Sequence, residues 1–206
     1  MSEIKYVITI ERQFGSMGQP IARKLSELLG IKCYDNEIID VTAKMLNLPV
    51  SLVDDNEESA ISQSGWFKHM NFPQKLSSAS DIQNRIFNSQ QEIIRSLAKK
   101  ESCIIVGRCA DFALEDMDNV VNIYIYAPYD VRLMHCVNDL KLEEAVAKKT
   151  IMEVDKARDA YHLNYAGYKP ADPLHKDILI NSDFLGIEKT AKLLAEAIKK
   201  KFNVQG

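Results

Sequence analysis

The sequence predicts an α/β fold, a parallel sheet covered by helices on both faces. Three observations predict it. Five short hydrophobic runs alternate with helical patterns along the 206 residues. The runs are nearly continuous in apolar residues, as strands buried on both faces require. A glycine-containing turn directly follows the first run and opens into a helix, as at a strand–helix crossover.

The first strand is predicted at residues 4–10, which are rich in β-branched residues. The turn Arg12-Gln-Phe-Gly-Ser-Met-Gly18 follows, and Pro20 suits the first turn of a helix. That helix buries Ile21, Ala22, Leu25, Leu28 and Leu29, and Gly30 closes it. A short strand is expected at 31–34 and a helix at 36–47. Residues 50–80 read as short helices and mobile loop, with Trp66, Phe67 and Phe72 forming either a small core or a cover for a base. Asp81 N-caps a long helix to about Lys100, with Ile82, Ile86, Ile93 and Leu97 at helical spacing. Strands follow at 102–107 and 120–126, and a helix from Pro128 to about Asn138. Thr150-x-x-Glu153 matches a capping box opening a helix that Gly167 ends. The last strand is 178–181 and the last helix 187–202. The 4–10 strand is expected at the centre, flanked by 103–107 and 120–126.

Lys plus Arg number 26 and Asp plus Glu 29, a formal net charge of −3. This balance argues against broad nucleic-acid binding and leaves room for a local phosphate pocket. The start lacks the pattern of a signal peptide, and no apolar run reaches membrane-helix length, so a cytoplasmic chain without membrane partners is expected. Cys33, Cys103, Cys109 and Cys136 form no Cys-x-x-Cys pair and read as reduced core residues. His69, His135, His162 and His175 accompany no nucleophile motif and read as structural or surface residues. No metal-ligand spacing appears.

In open parallel sheets, ligands sit beyond the carboxyl ends of the strands. After the first strand, the glycine turn and helix start offer free N–H groups and a helix dipole to a phosphate. Its candidate residues are Gly15, Ser16, Met17, Gly18 and Gln19; the alternative is a turn that needs glycine for geometry alone. After the second strand, Asp35 and Asn36 serve either a substrate or a helix N-cap. After the third, Gly107-Arg108 suits bidentate phosphate contact, against a salt bridge from Arg108 to Asp111 or Glu115. On the helix before Gly167, Arg158 shares a stripe with Tyr161 and Tyr165, and Asp155 with Asp159 is an i,i+4 pair.

Taken in order, the run Ile8 to Ala22, Tyr34-Asp35, Ile104 to Asp111, Asp155 to Tyr161 and Asp177 to Asn181 resemble the cytidylate kinase-like family of P-loop nucleoside monophosphate kinase relatives. The resemblance covers nearly the whole chain. It implies a three-layer P-loop NTPase-type fold in one domain, 1–206, with an acceptor-binding helical insertion at 36–100 and a lid-like segment at 140–170. The Walker A motif is degenerate. Aligned on Gly15-Ser16, Arg12 stands at the first glycine, Met17 at the second, Gly18 at the lysine and Gln19 at the Ser/Thr. The missing charge falls to Arg12, Arg23 or Lys24.

The resemblance implies a kinase that moves the γ-phosphoryl of ATP, with Mg²⁺, to a small phosphorylated acceptor, CMP or dCMP first. Arg12 and Arg158 would be catalytic. Asp35, Asn36, Arg108, Asp111, Asp155 and Asp159 would hold substrate, Asp111 standing in for the aspartate that Cys109 replaces. Two alternatives stay open: a non-catalytic nucleotide or phosphate sensor, and a kinase for a non-nucleotide acceptor. A homo-oligomer also stays open.

Overall fold

The computed structural model describes residues 5–53 and 79–204. The expectations for Trp66, Phe67, His69 and Phe72 lie outside these residues. The elements are β1 (Val7–Arg12), α1 (Gly18–Leu29), β2 (Lys32–Tyr34), α2 (Asn36–Leu46), α3 (Ala79–Lys100), β3 (Cys103–Val106), α4 (Ala110–Ala113), β4 (Val120–Tyr126), α5 (Tyr129–Asn138), α6 (Glu144–Ala166), β5 (Ile178–Asn181) and α7 (Ser182–Phe202). The sheet order is β2-β3-β1-β4-β5 and every pairing is parallel. β1 is central, between β3 and β4, as its apolar content predicts.

Alternation along β1 divides the core between two faces. Ile8 and Ile10 point one way, with Ile104, Val106, Ile123 and Ile125 of the neighbouring strands. There they meet Ile21 and Leu25 of α1 and Leu194 and Ile198 of α7. Val7, Cys103 and Ile105 point the other way, onto Ile94 and Ala98 of α3 and Ala110 and Ala113 of α4. Each fully buried isoleucine contributes about 1.5–3 kcal/mol. A small satellite core of Cys136, Ala147 and Ile151 joins α5 to α6 and takes in Phe14 from the glycine turn.

Three local expectations change. β1 runs on to Arg12, so Glu11 and Arg12 are strand residues with alternating directions. The capping box at Thr150 is not used: α6 starts at Glu144, and Thr150 Oγ1 donates to the Val146 carbonyl at 2.9 Å. The i,i+4 pair Lys148–Glu144 (2.5 Å) lies across its first turn. The last helix begins at Ser182, capped by Asn181, and breaks at Gly186 before continuing over the range expected. α4 has no sequence signal, being one turn long.

Candidate active site

The turn after β1 is held from both sides. Gln13 N–H donates to the Ile125 carbonyl at 3.0 Å, and Gln13 Oε1 accepts from Ala127 N–H at 3.2 Å. Ser16 is fully buried and donates its hydroxyl to the Gln13 carbonyl at 2.8 Å. His135 of α5 donates from Nδ1 to the Gly15 carbonyl at 3.0 Å. Met17 adopts φ 60 and turns the chain into α1. The N–H groups of Gly15, Met17, Gly18 and Gln19 have no partner among the described residues, and all four residues line one cleft. Free N–H groups at a helix start favour an anion.

Arg12 crosses the position of the missing lysine. A Cβ on Gly18 would stand 2.7 Å from Arg12 Cβ and 2.9 Å from its Cγ. A Cβ on Gly107 would stand 2.5 Å from Arg12 Nη1. The two glycines therefore form the walls of a slot for the arginine. A larger residue at position 18 would collide with the Arg12 stem.

Asp35 is where the cleft's polar groups converge. Gln19 Nε2 donates to Asp35 Oδ2 at 2.6 Å, and Asp35 Oδ1 lies 3.7 Å from Arg108 Nη2 and 4.0 Å from Arg12 Nη2. Asp35 precedes α2, but its side chain makes no cap hydrogen bond and faces the cleft instead. Of the two roles open to it, capping is not the one adopted. Arg108 follows β3 in a tight turn where Gly107, Arg108 and Cys109 all have positive φ (75, 65 and 50). Left-handed geometry costs a non-glycine residue roughly 1–2 kcal/mol. Here it aims Arg108 back over the strand ends.

Arg12, Gly15, Met17, Gly18, Gln19, Asp35, Asn36, Arg108 and Arg158 thus line one cleft of about 430 Å³. The other four sequence candidates are placed differently. Ser16 supports the turn from below. Asp159 pairs with Lys169 at 2.9 Å. Asp155 accepts from Phe14 N–H at 2.7 Å and pairs with Arg132 at 2.5 Å.

Asp111 lies in the core. Its carboxylate accepts from His162 Nε2 at 3.0 Å, from Tyr168 at 3.2 Å and from Lys176 Nζ. Burial works to raise its pKa, yet the hydrogen bond from His162 and the charge of Lys176 outweigh burial and hold it well below the usual carboxylate range. The expectation that Asp111 replaces an acceptor-binding aspartate is therefore not met by its position. Arg108 pairs with Asp35 at 3.7 Å, while Asp111 pairs with His162 and Lys176.

His162 faces only acceptors: Asp111 at Nε2 and the Tyr168 carbonyl at Nδ1, 2.8 Å away. This arrangement favours the ring with protons on both nitrogens. Burial lowers its pKa, but the Asp111 hydrogen bond and the charges of Glu11 and Asp111 raise it overall. Ligand atoms of Glu11, Asp111 and His162 lie within 4.8 Å of one another, all buried. His162 and Lys176 both pair with Asp111, so this cluster reads as a brace built on Asp111.

On α6, Arg158 Nη1 donates to the Arg12 carbonyl at 3.2 Å, which brings the lid-like helix onto the turn. Its aromatic stripe is docked rather than open. Tyr165 stacks on Phe87 of α3 at 3.9 Å, and Tyr161 donates to Gln90 at 3.2 Å. Burial pushes the thiols of Cys33 and Cys103 up to about 11 and about 12, in keeping with inert core cysteines.

The sequence matches the model of the cytidylate kinase-like family over residues 7–184. The chain belongs to the cytidylate kinase-like family. Among proteins of curated function, none matches it. Among solved structures, this cytidylate kinase-like chain is similar to an uncharacterized protein from Eubacterium ventriosum, at 25% identity and TM-score 0.71, covering 95% of this chain and 99% of that one. It is also similar in fold to shikimate kinase from Acinetobacter baumannii, solved with shikimate, at 12% identity and TM-score 0.54 over 97% and 96% of the two chains. Shikimate kinase from Bacteroides thetaiotaomicron gives 12% identity and TM-score 0.54 over 94% and 98%. Family and fold support a nucleotide or small-molecule kinase. No helix of the described residues is long and apolar enough to cross a membrane.

Glu11, Arg132, His135, His162 and Lys176 carry no sequence signal for these roles. Arg132 meets Asp155 across 23 residues, His162 and Lys176 meet Asp111 across 51 and 65, and His135 meets Gly15 across 120, so only the fold brings them together.

Proposed function

We propose that this chain transfers the γ-phosphoryl of ATP to a small phosphorylated acceptor, with CMP or dCMP the first candidate. The observation that carries the reading is the path of Arg12 between Gly18 and Gly107 into the cleft beside the free N–H groups of the turn. Phosphoryl transfer needs positioning and charge neutralisation more than covalent help. The N–H groups of Gly15, Met17, Gly18 and Gln19 would hold the donor phosphates. Arg12 takes the lysine's place, and Arg158, already on the turn, neutralises charge on the transferring group. Arg108 holds the acceptor's phosphate. Asp35, held at its rim by Gln19, accepts a hydrogen bond from an acceptor hydroxyl or amino group.

The turn does not fit a magnesium ligand of the usual P-loop kind. Gln19 occupies the hydroxyl position, and the Ser16 hydroxyl is turned into the core. Mg²⁺ enters this reading only as the counter-ion of ATP, and no step is assigned to it.

A second reading, a non-catalytic nucleotide sensor, is favoured by the replacement of all four Walker A positions. Incubation with Mg·ATP and a panel of monophosphates and unphosphorylated small molecules, reading ADP release beside thermal shifts, separates the two. ADP release supports the kinase. A thermal shift without release supports the sensor. Release only with an unphosphorylated acceptor overturns the acceptor class.

A further inference from the structure

The backbone of Phe14 is gripped at both ends by one ion pair. Asp155 of α6 accepts the Phe14 N–H at 2.7 Å. Arg132 of α5 donates to the Phe14 carbonyl at 3.1 Å, and the same Nη1 bonds Asp155 Oδ2 at 2.5 Å. Both side chains are largely buried, at 9% and 25% exposure. Next to this grip, Gly15 packs so closely on α5 that a Cβ would stand 2.9 Å from the Arg132 carbonyl and from Cys136 Sγ.

We propose that Asp155 and Arg132 are positioning residues for the donor phosphates, acting through the backbone of Phe14, and that Asp155 takes no part in holding the acceptor. The inference rests on the kinase reading above. It goes beyond it by assigning a lid carboxylate to the opposite substrate.

The physical reason lies in what the turn lacks. A Walker A turn is ordered around its lysine and its metal-bound hydroxyl, and here neither residue is present. A cradle of N–H groups binds an anion well only if it is shaped before the anion arrives. Two side chains from α5 and α6 supply that shape by fixing the peptide groups on both sides of Phe14. Charge is not their contribution: the pair is neutral, and Asp155 alone would repel phosphate. Arg158, one turn further along α6, grips the Arg12 carbonyl in the same way, so α6 holds the turn at two places.

The neutrality of the pair sets the test. A single Asp155→Asn change leaves the Arg132 charge unbalanced, and its electrostatic attraction for phosphate would mask a loss of shape. The double variant Arg132→Met/Asp155→Ala keeps the net charge and replaces an ion pair by apolar volume, an exchange that folded proteins tolerate. ATP and CMP are titrated separately by calorimetry into the parent chain, the double variant and Lys156→Ala, an exposed control on α6. Circular dichroism verifies folding. Asp155→Glu with Arg132 intact is the second variant, expected to keep part of the grip.

The result expected is at least about a tenfold loss of ATP affinity in the double variant, CMP affinity within about twofold, and an intermediate loss in Asp155→Glu. Loss of CMP affinity with ATP affinity unchanged would overturn the assignment and return Asp155 to the acceptor. Equal affinities for both ligands in all variants would overturn it too. If the parent chain binds no ATP, the kinase reading falls, and inorganic tripolyphosphate, titrated in the same way, decides the grip by the same tenfold criterion.

Discussion

The stem of Arg12 fills the space in front of Gly18, so closely that a Cβ there would lie 2.7 Å from Arg12 Cβ. In an ordinary Walker A turn, position 18 supplies the cation. Here it leaves room for the Arg12 stem, and in the proposed kinase reading the cation comes from the end of β1. The lost lysine and the two tight glycines are then one feature.

Restoring the motif one residue at a time is therefore harmful. Gly18→Lys keeps the textual Walker lysine but drives its Cβ into the Arg12 stem. Overpacking of this kind costs about 1–3 kcal/mol, which, if felt in binding, corresponds to roughly five- to 150-fold in affinity. Calorimetry with Mg·ATP is expected to show weaker binding for Gly18→Lys and for Gly18→Ala. Tighter binding by Gly18→Lys would contradict the slot.

Arg158 is expected to matter for rate rather than stability. It is half-buried and reaches the Arg12 carbonyl at the edge of the cleft. Arg158→Ala should lower kcat at least about a hundredfold, by comparison with arginine fingers. Arg158→Lys should recover only part, since an ammonium lacks the planar fork. Lys156→Ala, on the exposed side of the same helix, should change little. Equal, small effects in an enzyme that turns over would remove Arg158 from the mechanism.

The His162–Asp111 brace makes stability depend on pH in two windows. The pKa of His162 is raised on folding from its ordinary 6.5. Its contribution is full below about 6.5 and is lost as pH rises through the raised value. The pKa of Asp111 is lowered from 3.8, so its contribution is present above that value and is lost as pH falls below it. Groups facing the pair are Glu11 on β1, Tyr168 and Lys176. Urea titrations at successive pH values should show stability declining above pH 6.5 in the parent chain, and a flatter profile in His162→Gln. An identical decline in both proteins would show that His162 is not the titrating group.

The parallel sheet was legible because β1, β3 and β4 carry nearly continuous apolar runs, a local property. The glycine turn and Asp35 were legible because topology puts strand ends at the site. The start of α6 was misplaced because a capping box is a short pattern that a longer run of i,i+4 ion pairs can override, as Lys148–Glu144 does. Asp111 was misread for a different reason. Its partners are His162 and Lys176, which follow it by 51 and 65 residues. No local spacing encodes such a meeting. Gly18 reads as a phosphate-turn residue and Gly107 as the end of a strand, and only their distances to Arg12 show that both wall its side chain.

The central claim is that Arg12 performs the work of the absent lysine in a phosphoryl transfer. Its most direct test is ADP release from Mg·ATP and CMP or dCMP by the parent chain, Arg12→Ala and Arg12→Lys. The account predicts release by the parent chain, a loss of at least about a hundredfold in Arg12→Ala, and partial recovery in Arg12→Lys. Release that is unchanged in Arg12→Ala, or absent from the parent chain with every monophosphate tried, would contradict it.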